Sequence, residues 1–80
     1  MSNKKLNIIG QNVKRLRLSK KPALTQEQLA IQLELLDWNI GRFGVSKIER
    51  GERQVTDKEL FKLAQALSVP IQDLFPQDKY

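Results

Sequence analysis

Two threonines fix where helices start in this chain. Thr25-Gln26-Glu27-Gln28 and Thr56-Asp57-Lys58-Glu59 each set a threonine three residues ahead of a glutamine or glutamate. In such a capping box the hydroxyl accepts the third amide N–H, and the third side chain accepts the threonine's own N–H. Two otherwise orphaned donors are satisfied together. An apolar stripe at helical spacing follows each box: Leu29, Ala30, Leu33 and Leu36 after the first, Leu60, Leu63, Ala64 and Leu67 after the second. An earlier stripe, Leu6, Ile9, Val13 and Leu16, predicts a helix over Leu6 to Ser19. Lys20-Lys21-Pro22-Ala23 breaks it, because proline lacks an amide and biases its predecessor away from helix. No segment alternates with the period of a strand, so the expected class is all-α.

Between the boxes lies Asn39 to Gly51, NIGRFGVSKIERG. It predicts a third helix over Arg42 to Arg50, ended by Gly51 in the left-handed position after a helix. At 100° per residue Val45, Ile48 and Glu49 share one face. Phe43, Ser46, Lys47 and Arg50 share the opposite face, and Arg42 sits at the first turn. One side is apolar with a single carboxylate; the other is basic and aromatic. Asp37 to Gly41 is the turn that leads into it, and the only tryptophan, Trp38, is expected to cover the core there. At the other end, Ile71 to Phe75 predicts a last helical turn or two that closes the core before Pro76. The helices are too short to be stable alone, so packing must hold them. The expected organisation is a mobile arm over 1–5, one domain over 6–75 and a tail over 76–80.

Charge is unevenly distributed. The net value is +5, yet residues 1–21 hold seven Lys/Arg and no acid, whereas 22–41 hold three acids and no base. Positive charge gathers at the first helix and around the third, which suits a polyanion bound on one side. There is no cysteine and no histidine. Disulfides, thiolate or imidazole metal sites and the usual base for a nucleophile are therefore absent. No enzyme activity, metal or cofactor is expected. No apolar run approaches the roughly 20 residues of a membrane span, and no signal-peptide pattern is evident; the expected location is the cytoplasm.

Two capped helices joined by a turn, the second basic on its outer side, form the pattern of a helix-turn-helix. The pieces IGQNVKRLR, LTQEQLA, VSKIERGER, ELFKLAQALSV and DLF, in that order, resemble the Cro and phage-repressor type (XRE) helix-turn-helix family over residues 8–75. The resemblance implies a compact five-helix, lambda-repressor-like domain whose helices 2 and 3 form the DNA-binding unit. It places Arg42, Phe43 and Lys47 at base-contact positions. It places Thr25, Gln26, Ser46, Arg50 and Arg53 at DNA-backbone positions. Arg17 and Glu49 match a structural ion pair. The stretch between LA and SKIERG is longer than the family's usual spacing.

The chemistry of these residues agrees with those roles while leaving alternatives open. Arg42 can offer two parallel N–H donors to guanine O6 and N7; the alternative is a phosphate or a solvated side chain. Phe43 should be exposed, where a thymine methyl would suit it; the alternative is packing against Trp38 or Ile40. Lys47 can reach a base edge or a phosphate. Glu49, facing inward, needs a partner, and Arg17 is the best candidate.

The expected function is a sequence-specific duplex-DNA-binding transcriptional regulator, a repressor, acting as a homodimer on palindromic operators. Ile71, Leu74, Phe75 and Tyr80 form a candidate dimer surface, with plain core closure as the alternative. The rival reading is an antitoxin or controller protein of the same fold whose main partner is another protein. Gly41-Arg42-Phe43-Gly44 also spells the GxxG of a KH domain, but that fold needs a sheet.

Overall fold

The computed structural model describes residues 4–77. Four α-helices, α1 (Gly10–Leu18), α2 (Gln26–Glu34), α3 (Gly41–Glu49) and α4 (Asp57–Leu67), are followed by a single 3₁₀ turn, Ile71–Leu74. Among the described residues there is no strand. The expected fifth helix is thus only that turn. Pro70 bounds it on one side, and on the other Phe75, which precedes Pro76, is extended at φ −89°, ψ 149°.

Both capping boxes form as the sequence demands. Thr25 accepts the Gln28 N–H and Thr56 the Glu59 N–H, with the reciprocal side-chain bonds present in each. Three helices end alike, with a left-handed residue and the paired bonds of a Schellman motif. After α3 the residue is Gly51 at φ +74°, whose N–H donates to the Ile48 carbonyl while the Glu52 N–H reaches Lys47. After α2 it is Asp37 (φ 67°), and after α4 it is Ser68 (φ 57°). The Asp37 stop lets the Trp38 N–H donate to the Leu33 carbonyl and lays the indole, half-buried, against the core.

The core is one cluster. Val13 and Leu16 of α1, Leu29 and Leu33 of α2, Val45 and Ile48 of α3, Leu63 and Leu67 of α4, and Leu74 are all buried. Two expected core residues are not. Leu6 is 49% exposed and Ile71 is 39% exposed, while Leu36 and Leu60 are partly covered.

Leu6 fails because α1 starts later than its apolar period suggests. The Asn7 carboxamide oxygen accepts the N–H groups of Ile9 and Gly10, capping the helix there. The preceding backbone instead runs across the end of α3, with the Leu6 N–H donating to the Gly51 carbonyl at 2.8 Å. Of the expected arm, residues 1–3 lie outside the described residues. Lys5 rests its stem over Gly51 and donates to the Arg50 carbonyl at 3.2 Å. Of the tail, 78–80 also lie outside, Tyr80 included.

Candidate DNA interface

Three elements converge on the inner end of α3. The Arg17 guanidinium, in the last turn of α1, grips Glu49 through two parallel bonds: Nε to Oε2 at 2.7 Å and Nη2 to Oε1 at 3.0 Å. Its Nη1 donates to the Leu24 carbonyl at 2.7 Å, in the loop before α2. Gln26, the first residue of α2, donates its Nε2 to Glu49 Oε1 at 3.0 Å. Arg17 and Glu49 are both buried. A buried charge pair is tolerable only when its polar atoms find partners, and among the described residues no buried side-chain nitrogen or oxygen lacks one. The network ties α1, the start of α2 and the end of α3 into one rigid frame.

The same frame is tightened by a close approach. A Cβ on Gly10 would fall 2.9 Å from the Glu49 carbonyl oxygen and nearer still to that of Ile48, so α1 meets the α3 backbone directly. Asn7 adds bonds from its Nδ2 to the carbonyls of Ile48 (3.1 Å) and Arg53 (2.8 Å).

What the frame presents is the outer side of α3. Arg42, Phe43, Lys47 and Arg50 are exposed and Ser46 is partly covered. Phe43 is 73% exposed and is not among the residues packed on the core. The Arg42 guanidinium lies over its ring at 5.0 Å from the centroid and 3.6 Å from the Glu27 carboxylate of α2. The Lys47 ammonium has no ion-pair or hydrogen-bond partner among the described residues. Arg50 bonds to the Ser46 hydroxyl and pairs with Glu52 at 3.1 Å. Hydrogen bonding from Arg50 holds the Glu52 carboxyl below its ordinary range, and the same bond raises the Arg50 guanidinium above its own. The extra residues before α3 are absorbed in the Leu35–Ile40 turn. The bare Cα of Gly44 accommodates the Ile40 side chain one turn back, rather than a neighbouring helix.

Gln26 and Arg53, both expected at the DNA backbone, are drawn into partly buried contacts within the protein. Gln26 belongs to the Glu49 network. Arg53 forms a double bond pair with Glu59, at 3.0 and 3.1 Å, and stacks over Trp38 at 5.3 Å. That hydrogen bonding pulls the Glu59 carboxyl below its ordinary range, against the opposing effect of burial. Thr25 is exposed at the tip of α2, its hydroxyl used as the cap. Asn7 and the inward turn of Gln26 were not foreseen. Neither lies on an apolar period, and both act through contacts distant in sequence. Among the described residues no cluster of potential metal ligands occurs, and no helix is long and apolar enough to cross a membrane.

A framed pair of helices with a basic outer side on the second is the geometry of a helix-turn-helix, and the comparisons with known proteins agree. The helix-turn-helix family profile matches residues 13–74. The chain belongs to the XRE-type helix-turn-helix family. It is 38% identical over 74 residues to the control protein C.BamHI of Bacillus amyloliquefaciens, covering 92% of this chain and 84% of that protein. Its fold is similar to that of the restriction-modification controller protein C.AhdI from Aeromonas hydrophila, with a TM-score of 0.70 and 34% identity over 84% of this chain and 87% of that one. It is also similar to the DNA-binding domain of BldD, with a TM-score of 0.71 and 28% identity over 95% of this chain and all of that domain. This helix-turn-helix protein is a DNA-binding transcriptional regulator.

Proposed function

We propose that this helix-turn-helix protein is a cytoplasmic controller-type repressor that binds a palindromic operator as a homodimer. The observation that carries the reading is the two-sidedness of α3: Glu49 locked beneath by Arg17 and Gln26, and Arg42, Phe43 and Lys47 uncovered above. In the major groove Arg42 takes a guanine edge, Phe43 a methyl group, and Lys47 a base edge or phosphate. Ser46, Arg50, Thr25 and the free amides at the tip of α2 meet the DNA backbone, where a helix N-terminus favours anions. Gln26 and Arg53 support that surface from behind, holding α3 and the following loop in place.

Reach is consistent with a dimer on a two-fold site. The domain measures 35 × 23 × 23 Å and carries one reading helix, whereas successive major-groove faces of a two-fold site lie about 34–36 Å apart. Two copies are needed to read both. At the C-terminal end, the candidate dimer surface, core closure accounts for most of the apolar residues. There Ile71 remains exposed, while Leu74 is fully buried and Phe75 packs on the core.

The test is selection from a random duplex pool at physiological salt. A palindrome with half-sites one turn apart is the expected product. A dimer neutralising about 6–10 phosphates should lose roughly 10³–10⁵ in affinity between 50 and 200 mM salt. Failure to enrich any sequence would move the reading to a protein partner. The exposed Ile31 on α2 and Leu35 just after it are the surface on which such a partner would be sought.

A further inference from the structure

Arg42 and Phe43 act as one device. The guanidinium carbon lies over the phenyl ring, 5.0 Å from its centroid, a distance at which cation and ring face attract. Glu27 flanks the same guanidinium at 3.6 Å. Phe43 is nearly three-quarters exposed, so the core does not account for it. The two side chains are thus neighbours on the exposed side of α3. Adjacent bases on a strand lie about 3.4 Å apart. Side chains held this close are within reach of neighbouring bases, Arg42 on one base and Phe43 on the next.

The chemistry of each edge narrows the step. Arg42 is matched to guanine, which offers two acceptors in the major groove. Phe43 has no donor or acceptor, so it cannot distinguish the thymine O4 from the cytosine N4 amino group. The apolar feature a pyrimidine offers it in that groove is a C5-methyl group. Resting on the DNA-binding reading above, we propose that the Arg42–Phe43 pair reads a 5-methylpyrimidine beside a guanine, so that binding depends on the methyl group rather than on the base that carries it. Thymine and 5-methylcytosine satisfy Phe43; uracil and unmodified cytosine do not.

The experiment uses the operator recovered by selection. The pyrimidine to vary is the one next to the guanine whose preference Arg42→Ala relaxes. Four duplexes carry thymine, uracil, 5-methylcytosine or cytosine there, each opposite its proper complement. Uracil should bind about fourfold more weakly than thymine per half-site, and cytosine about fourfold more weakly than 5-methylcytosine, the value of one buried methyl. Phe43→Ala, on an exposed side chain that leaves the melting temperature unchanged, should bind both members of each pair alike. Equal binding of uracil and thymine, and of cytosine and 5-methylcytosine, by the unaltered protein overturns the proposal while leaving DNA binding intact. Selection that yields no site overturns both.

Discussion

The Arg17–Glu49 and Arg42–Glu27 pairs use the same functional groups on opposite sides of the helix-turn-helix. In the first, two bonds of 2.7 and 3.0 Å join side chains only 7% and 3% exposed. In the second, a single approach of 3.6 Å joins side chains 58% and 64% exposed. Water makes the difference. A buried pair has given up its hydration and cannot exchange partners without leaving a charge stranded. An exposed pair is worth little by itself and surrenders its partner cheaply. Burial turns one arginine into a strut and leaves the other free to meet a ligand.

The largest expected effect attacks the strut. Arg17→Ala strands Glu49 and removes the donors to Leu24, at a cost of about 3–5 kcal/mol. In an 80-residue domain, where each kcal/mol moves the melting temperature by roughly 4–8 °C, that amounts to a fall of well over 10 °C. A melting temperature equal to that of the unaltered protein would erase the distinction between the two pairs. Arg42→Ala is the matched change on the other side. Its melting temperature should stay within a degree or two, while discrimination at one base pair drops by about 1–3 kcal/mol in competition binding. A stability loss as large as that of Arg17→Ala would show that Arg42 is a strut as well.

Arg53–Glu59 lies between these extremes, with side chains 31% and 21% exposed, and it sharpens the comparison through pH. The Glu59 carboxyl is depressed chiefly by hydrogen bonding from Arg53. A depressed carboxylate stabilises the fold above its unfolded value, about 4.3, and that contribution is lost as pH falls through the folded value. Glu59→Gln keeps the capping geometry and removes the charge. At pH 7 it should cost about 1 kcal/mol, a partly screened charged bond. The gap between the melting curves of the two proteins should close as pH falls below 4. A gap that persists unchanged in acid would assign the loss to packing.

Much of this was legible in the residues, and the exceptions have a common cause. The starts of α2 and α4 followed from capping boxes, which are local chemistry. The end of α3 followed from Gly51, and the inward face of Val45, Ile48 and Glu49 from helical period. What periodicity could not show was competition from distant backbone. Leu6 has the right spacing for α1, but its N–H is taken by Gly51 and Asn7 caps the helix further on. Asp37 and Ser68 end helices in a conformation more typical of glycine, so those stops carry no glycine to mark them. At the interface, the outward side of α3 could be read from its wheel. The commitment of Gln26 to Glu49 and of Arg53 to Glu59 could not, since each depends on where another helix arrives.

The smallest expected effect concerns Arg50, which forms an exposed pair with Glu52. Removing the carboxylate by Glu52→Gln should leave the melting temperature unchanged, because an exposed pair contributes little to stability. Binding is where the change should appear. Glu52 places negative charge beside the surface offered to DNA and occupies a guanidinium that a phosphate could use. Its removal should tighten binding to specific and random duplexes alike. If the Glu52 pairing competes with the phosphate contact proposed for Arg50, freeing the guanidinium should steepen the slope of log affinity against log salt by up to about 0.9 per half-site. Weaker binding would instead mean that Glu52 aims Arg50 at the DNA. The exposed pair would then be performing, at the surface, the positioning that Glu49 performs for Arg17 in the interior.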